Sequence, residues 1–150
     1  MRQLPHTYAQ NVLHVVFSTK DRRKLIPKDF QPRMWSYAAG ICKHHGIHVH
    51  AVGGAEDHIH LLIQVPPSLP VAKAVLAIKS NFSRWANEQG RRFAWREGYA
   101  AFSVSASLVP AVARYIQDQE SHHRKRTFDE EWIALLKKHG VEFDPNYVFG

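Results

Sequence analysis

The stretch Asp57-His58-Ile59-His60-Leu61-Leu62-Ile63 limits the fold of this chain more than any other. Read as a strand, its side chains alternate between faces, so Ile59, Leu61 and Ile63 enter one core while His58 and His60 project together from the opposite face. Such a strand belongs to a sheet with one apolar face and one face that carries imidazoles. Two imidazoles one pleat apart can share a metal ion. The plainer alternative is a pair of histidines facing solvent.

The flanking segments supply the rest of that sheet. Residues 11–19 are rich in β-branched and aromatic side chains and predict a first strand, closed by the charged turn from Lys20 to Lys24. Phe30, Met34, Tyr37, Ala38 and Ile41 recur at helical spacing, with Gly46 placed as a C-terminal cap. Residues 47–53 then set Ile47, Val49 and Ala51 against His48, His50 and Val52, a strand whose hairpin partner runs from His58 to Val65. After Pro66-Pro67, the positions Val71, Val75, Ile78, Phe82 and Trp85 mark an amphipathic helix that Gly90 ends, and residues 100–106 predict a fourth strand.

Strand, helix, strand, strand, helix, strand is the order of a ferredoxin-like (RRM-like) α+β fold, an antiparallel sheet with two helices on one face. The other face is left open. Ser107 as N-cap and Pro110 in the first turn predict a third helix running to His122, which places Tyr115 near that open face. Thr127 with Glu130 fits a capping box for a last helix, carrying Trp132, Leu135 and Leu136 until Gly140. The expected organisation is one domain over residues 1–150, with no repeat and no low-complexity linker.

Composition narrows the partners. Lys and Arg number 20 against 13 Asp and Glu, for a formal charge of +7. Such a surface attracts polyanions, nucleic acid first. A single cysteine, Cys42, excludes an intramolecular disulfide or a cysteine-rich zinc site and suits a reducing cytosol. No apolar run approaches the roughly 20 residues of a membrane span, and the polar start Met1-Arg2-Gln3 lacks a signal-peptide core. A cytoplasmic protein without a membrane partner is expected.

A second motif, Tyr115-Ile116-Gln117-Asp118-Gln119, sets a phenol and a side-chain amide four residues apart, on one face of a helix. Together with His58-Ile59-His60 it resembles the single-tyrosine HUH transposases of the smallest bacterial insertion sequences. The likeness includes the opening Leu13-His14-Val15-Val16-Phe17-Ser18-Thr19-Lys20, the turn Arg22-Arg23-Lys24, residues 95–105, and the run from Tyr115 to His123. It implies a bacterial enzyme that cuts single-stranded DNA at hairpin-marked transposon ends. Tyr115 would be the nucleophile, and His58, His60 and Gln119 would hold Mg²⁺ or Mn²⁺. A 5′-phosphotyrosine intermediate and a homodimer with shared active sites follow from the same likeness. Asp57 is a candidate hydrogen-bond partner for an imidazole, or a turn residue closing the hairpin. No general base is visible in the motif, and His122 and His123 are left unassigned to the metal.

Candidate DNA contacts are the basic groups Arg22, Arg23 and Lys24; Lys79 and Arg84; Arg91, Arg92 and Arg96; and Arg124, Lys125 and Arg126, with Trp95 and Tyr99 as aromatic platforms for unpaired bases. Trp85, in helical register, reads as core. Three rival readings stay open: a relative domesticated to process palindromic chromosomal repeats, a non-catalytic RRM-like binding module, and a four-histidine cupin site using His48 and His50, against which the two long helical stretches argue.

Overall fold

The computed structural model describes residues 6–123 and 125–149. Strands β1 (Val12–Ser18), β2 (His48–Gly54), β3 (His58–Gln64) and β4 (Ala100–Ser103) alternate with helices α1 (Gln31–His44) and α2 (Val71–Glu88), and α3 (Val109–Gln117), α4 (Gln119–His123) and α5 (Phe128–Lys138) follow. The sheet order is β2-β3-β1-β4, with every pair antiparallel. This is the ferredoxin-like arrangement expected from the order of elements. Among the described residues no helix is long and apolar enough to cross a membrane.

Alternation along β1 and β3 divides the core in two. Leu13, Val15, Phe17, Ile59, Leu61 and Ile63 meet Met34, Ala38, Ile41, Ala74, Val75, Ile78 and Phe82 of α1 and α2. Val16 pairs with His60 and Ser18 with His58 on the opposite face. That face is covered, not open. Ile116 of α3 packs on Val12, Ala51 and Leu62, while Phe128, Leu135 and Leu136 of α5 pack on Val16, Ala100 and Phe102. The tyrosine-bearing helix lies there as expected, and the terminal helix joins it.

Local details differ from the sequence reading in four places. β4 stops at Ser103, short of the expected residue 106, because the chain enters the tight turn of residues 106–108. In β2, the register shifts between Val49 and Ala51. The extra residue, His50, breaks the simple alternation and leaves Val49 and Val52 on the α1–α2 side while Ala51 turns to Ile116. Ser107 caps no helix, because residues 106–108 form a single tight turn and α3 starts after Leu108; Pro110 does lie in its first turn. The run to His122 is interrupted at Asp118, a residue type with weak helical preference. Asp118 N still donates to Arg114 O and His122 N to Asp118 O, so Gln119 remains one turn beyond Tyr115. The capping box of α5 forms as expected, Thr127 and Glu130 exchanging backbone and side-chain bonds.

The seat of α3 depends on Gly53. A Cβ built there would lie 2.3 Å from the carbonyl oxygen of Ile116, a backbone atom that cannot swing away. Gly53→Ala is therefore expected to push α3 off the sheet, at about 1–3 kcal/mol, the usual penalty for overpacking. Thermal melts and faster amide exchange along α3 relative to α1 would report it; an unchanged melt would show that β2 yields instead.

Candidate metal and tyrosine site

Three elements converge on the second face of the sheet. From β3 come His58 and His60, both fully buried; from α4 comes Gln119, 1% exposed; from α5 comes Glu131, fully buried. Glu131 is the residue the sequence reading missed. Its Oε1 accepts from His60 Nε2 at 3.1 Å and His123 Nε2 at 2.9 Å, and lies 3.5 Å from His58 Nε2. Gln119 Oε1 stands 3.0 Å from His58 Nε2 and 3.1 Å from His123 Nε2. Its amide donates to Glu131 Oε2.

The donor set fits a metal ion. Ligands adjacent on an octahedron around a small divalent cation stand roughly 3 Å apart, and these contacts run from 2.9 to 3.5 Å. His58, His60 and Glu131 form a buried group able to hold a metal. Asp57 Oδ1 lies 2.8 Å from His58 Nδ1, the orienting partner that metal-binding histidines ordinarily have. With Nδ1–H committed to Asp57, a neutral His58 turns its Nε2 lone pair toward Gln119 Oε1 and Glu131 Oε1, two oxygens that also accept. A cation between them satisfies all three. His123, left out of the metal set by sequence reasoning, points its Nε2 into the same point.

Tyr115 closes the site from α3. Its hydroxyl donates to Glu131 Oε2, and Arg126 Nη2 donates to the phenol oxygen at 3.1 Å. Burial and then the Glu131 carboxylate raise the phenol above its usual pKa, and Arg126 works the other way. For Glu131, burial opposes ionisation, but the hydrogen bonds from His123 and His60 outweigh it and hold the carboxyl far below the usual range. Asp57 likewise stays below its ordinary value, its His58 bond overcoming burial. The His122 ring lies 4.6 Å from that of Tyr115, tilted against it.

Burial pushes His14 down to about 3 and His60 to about 4. A folded-state pKa below the unfolded one means that the unfolded chain takes up protons first as pH falls. The protein stripped of metal is thus expected to lose stability from about pH 6.5 down toward pH 3, by on the order of several kcal/mol in total. Thermal melts in chelator across that range test this; a flat profile would mean that these rings are not held neutral.

The family model described as "Transposase IS200 like" matches residues 7–119. The chain belongs to the IS200-like transposase family. It is 25% identical over 127 residues to the transposases for insertion sequence element IS200 of Salmonella typhimurium and Salmonella typhi, covering 79% of this chain and 82% of theirs. Two solved structures share the fold. One is a candidate transposase from Deinococcus radiodurans (19% identity, 79% of this chain and 98% of that one, TM-score 0.62). The other is a REP-associated tyrosine transposase bound to a REP hairpin (16% identity, 82% and 74%, TM-score 0.59). As an IS200-like transposase the protein is an enzyme acting on DNA, and neither a pure RRM-like binding module nor a cupin fits it.

The family match ends at Gln119, so His123 and Glu131 of this IS200-like transposase come from beyond it. Of the proposed DNA contacts, Lys24, Lys125 and Arg126 ring a cavity of about 500 Å³ that reaches His123 and Asp57. Arg126 also borders a second cavity of about 410 Å³ that Tyr115 lines together with Val104, Leu108, Val112 and Leu135.

Other candidates have protein partners. Arg22 pairs with Asp129, Lys79 Nζ donates to the carbonyls of Arg96 and Gly98, and Arg96 to that of Val148. Arg91 lies over Phe30. Arg84 donates to Asn81 beside a groove between α1 and α2, remote from the tyrosine. Arg23 and Arg92 are exposed, and Arg124 lies outside the described residues. Trp95 packs against Phe17, Phe82 and Phe93, which makes it part of the core and not a free platform. Tyr99, 38% exposed, keeps an open face. Trp85 stacks on Tyr37 in the core, as its register required.

Proposed function

We propose that this transposase is a metal-dependent single-strand DNA endonuclease and strand transferase that works through a 5′-phosphotyrosine. One observation carries the reading: the Tyr115 hydroxyl donates to one oxygen of Glu131 while the other oxygen lies among three imidazoles. Nucleophile, proton acceptor and metal ligands meet at a single carboxylate.

His58, His60, Gln119 and Glu131 would hold the ion. A divalent ion held there would supply Lewis-acid polarisation of a non-bridging phosphate oxygen and would offset charge developing on phosphorus. Imidazole suits transition metals, so of Mg²⁺ and Mn²⁺ this set favours Mn²⁺. The chain's own groups handle the proton. Tyr115 passes it to Glu131 Oε2 as the phenol oxygen bonds to phosphorus, and Arg126 steadies the phenolate and the approaching phosphate. The bond from phosphorus to the 3′-oxygen breaks, and that oxygen leaves as a hydroxyl after taking up a proton. The phosphodiester energy is kept in the tyrosine link, so another 3′-hydroxyl can attack it and rejoin strands. Lys24, Lys125 and Arg126 supply phosphate contacts along the cavity that reaches the site.

The substrate is single-stranded DNA marked by a hairpin, in the bacterial cytoplasm, and the whole chain acts as one domain. A domesticated relative that processes chromosomal palindromes would use the same chemistry, and the DNA flanking the gene distinguishes the two. Incubation with Mn²⁺ and single strands copied from that DNA, labelled 3′ of the cut, is expected to leave label on the protein through denaturation. Tyr115→Phe should abolish that adduct and retain binding. Adduct mapping to Tyr8, Tyr37, Tyr99 or Tyr147 would overturn the assignment of nucleophile.

Because His60 and Tyr115 of one chain already lie with ring centroids 5.9 Å apart, we read each site as built within a single chain. Mixing His60→Ala with Tyr115→Phe subunits should restore no cleavage. Recovery would establish the homodimer with shared sites that the HUH resemblance implies.

A further inference from the structure

We propose that His14 is a positioning residue that keeps His60 Nδ1 hydrogen-bonded in either tautomer, so that Nε2 is free to become a metal ligand. The proposal rests on the metal reading above. His14 sits on β1, 3% exposed, opposite Leu62 in the sheet register. Its Nε2 lies 2.7 Å from His60 Nδ1, and the two rings stack with centroids 5.0 Å apart. Nothing in the cleavage chemistry uses it, yet a buried polar ring has to be satisfied.

The pairing has a property that a commoner partner would lack. His60 Nε2 lies 3.1 Å from Glu131 Oε1, and when no ion is bound it would donate to that oxygen as Nε2–H. His60 Nδ1 then carries a lone pair and accepts from His14 Nε2–H. Once His60 Nε2 is a metal ligand it must present its lone pair, so the proton resides on Nδ1, and His14 Nε2 must accept. A backbone carbonyl or a carboxylate can only accept, and would leave the metal-free state with two acceptors facing each other. A neutral histidine does either, because its own proton can occupy Nδ1, and His14 borders the cavity beside Ser103 and His139. Each ring carries one proton in both states, so the exchange is balanced without charge entering the core.

Full-length protein labelled with ¹⁵N-histidine, titrated with Zn²⁺ as a diamagnetic probe, gives a direct test by long-range ¹H–¹⁵N correlation. His60 is expected to change from the Nε2–H to the Nδ1–H tautomer on binding, and His14 to change with it. Calorimetry should show His14→Leu binding Zn²⁺ roughly 10–100-fold more weakly, the usual consequence of losing a ligand's orienting partner. His14→Gln, whose amide both donates and accepts, should stay within a few fold of wild type. If His14→Leu does not fold, the wild-type spectrum and His14→Gln still decide. A His14 ring that keeps one tautomer, or wild-type Zn²⁺ affinity in a folded His14→Leu, would overturn the proposal while leaving the metal site intact. Wild-type protein that binds neither Zn²⁺ nor Mn²⁺ would overturn both.

Discussion

His60→Ala and His58→Ala are each expected to reduce strand cleavage by about a thousandfold or more, because the several kcal/mol that a bound cation contributes to the transition state disappear with its ligand. Binding of a single-stranded hairpin should remain within a few fold of wild type. In the proposed mechanism affinity comes from cations such as Lys24, Lys125 and Arg126, which line the cavity beside His123 and Asp57. The two quantities separate chemistry from recognition. His60 has a structural role too: without it His14 Nε2 and Glu131 Oε1 lose a partner, at roughly 1–3 kcal/mol for a buried group left unsatisfied. Melting curves must therefore place each variant in its folded state at the assay temperature. A folded variant that cleaves at full rate in Mn²⁺ would remove these histidines from the metal site.

Glu131→Gln keeps the volume of a fully buried side chain and removes its charge. Besides the loss of an anionic metal ligand, which can only lower the rate further, two effects on Tyr115 oppose each other. The phenol of Tyr115 loses its proton acceptor, a contribution of about 10²–10⁴ in rate for a positioned base. It also loses a facing carboxylate that holds the phenol pKa up. The first wins at neutral pH, where phenolate is scarce with or without the carboxylate, so cleavage is expected to fall by about 10²–10⁴. The second shows in the pH profile. With no internal base, the variant's rate should climb about tenfold per unit toward the phenol pKa, where wild type changes less. Glu130→Gln, one residue away, is the control. It loses only part of the α5 capping box, on the order of 1 kcal/mol of stability, and should cleave normally. Wild-type rates in Glu131→Gln at neutral pH would show that neither proton transfer nor metal binding depends on this carboxylate.

Period-two alternation from Ile59 to Ile63 was enough, by itself, to place His58 and His60 together on one face, because side-chain direction on a strand is a property of the backbone. The same locality made Tyr115 and Gln119 neighbours, although Asp118 interrupts the helix between them. It made Thr127 and Glu130 a cap, and it put Gly46, Gly90 and Gly140 at helix ends where they adopt positive φ. Element order then settled the ferredoxin-like sheet.

What sequence could not supply was the neighbourhood of the second face. Once Glu130 is taken as the cap partner, Asp129 and Glu131 read alike, as acidic residues suited to the first turn of a helix. Only the docking of Phe128, Leu135 and Leu136 on Val16 and Phe102 decides that Glu131 turns inward among imidazoles while Glu130 remains exposed. Trp95 looked like a platform for bases because its aromatic partners, Phe17 and Phe82, are far away in the chain. His14 was simply part of an apolar strand until β3 paired beside it and set His60 within a hydrogen bond. Each of these depends on which distant surfaces are in contact, and contacts between distant segments are a product of packing, which local periodicity does not encode.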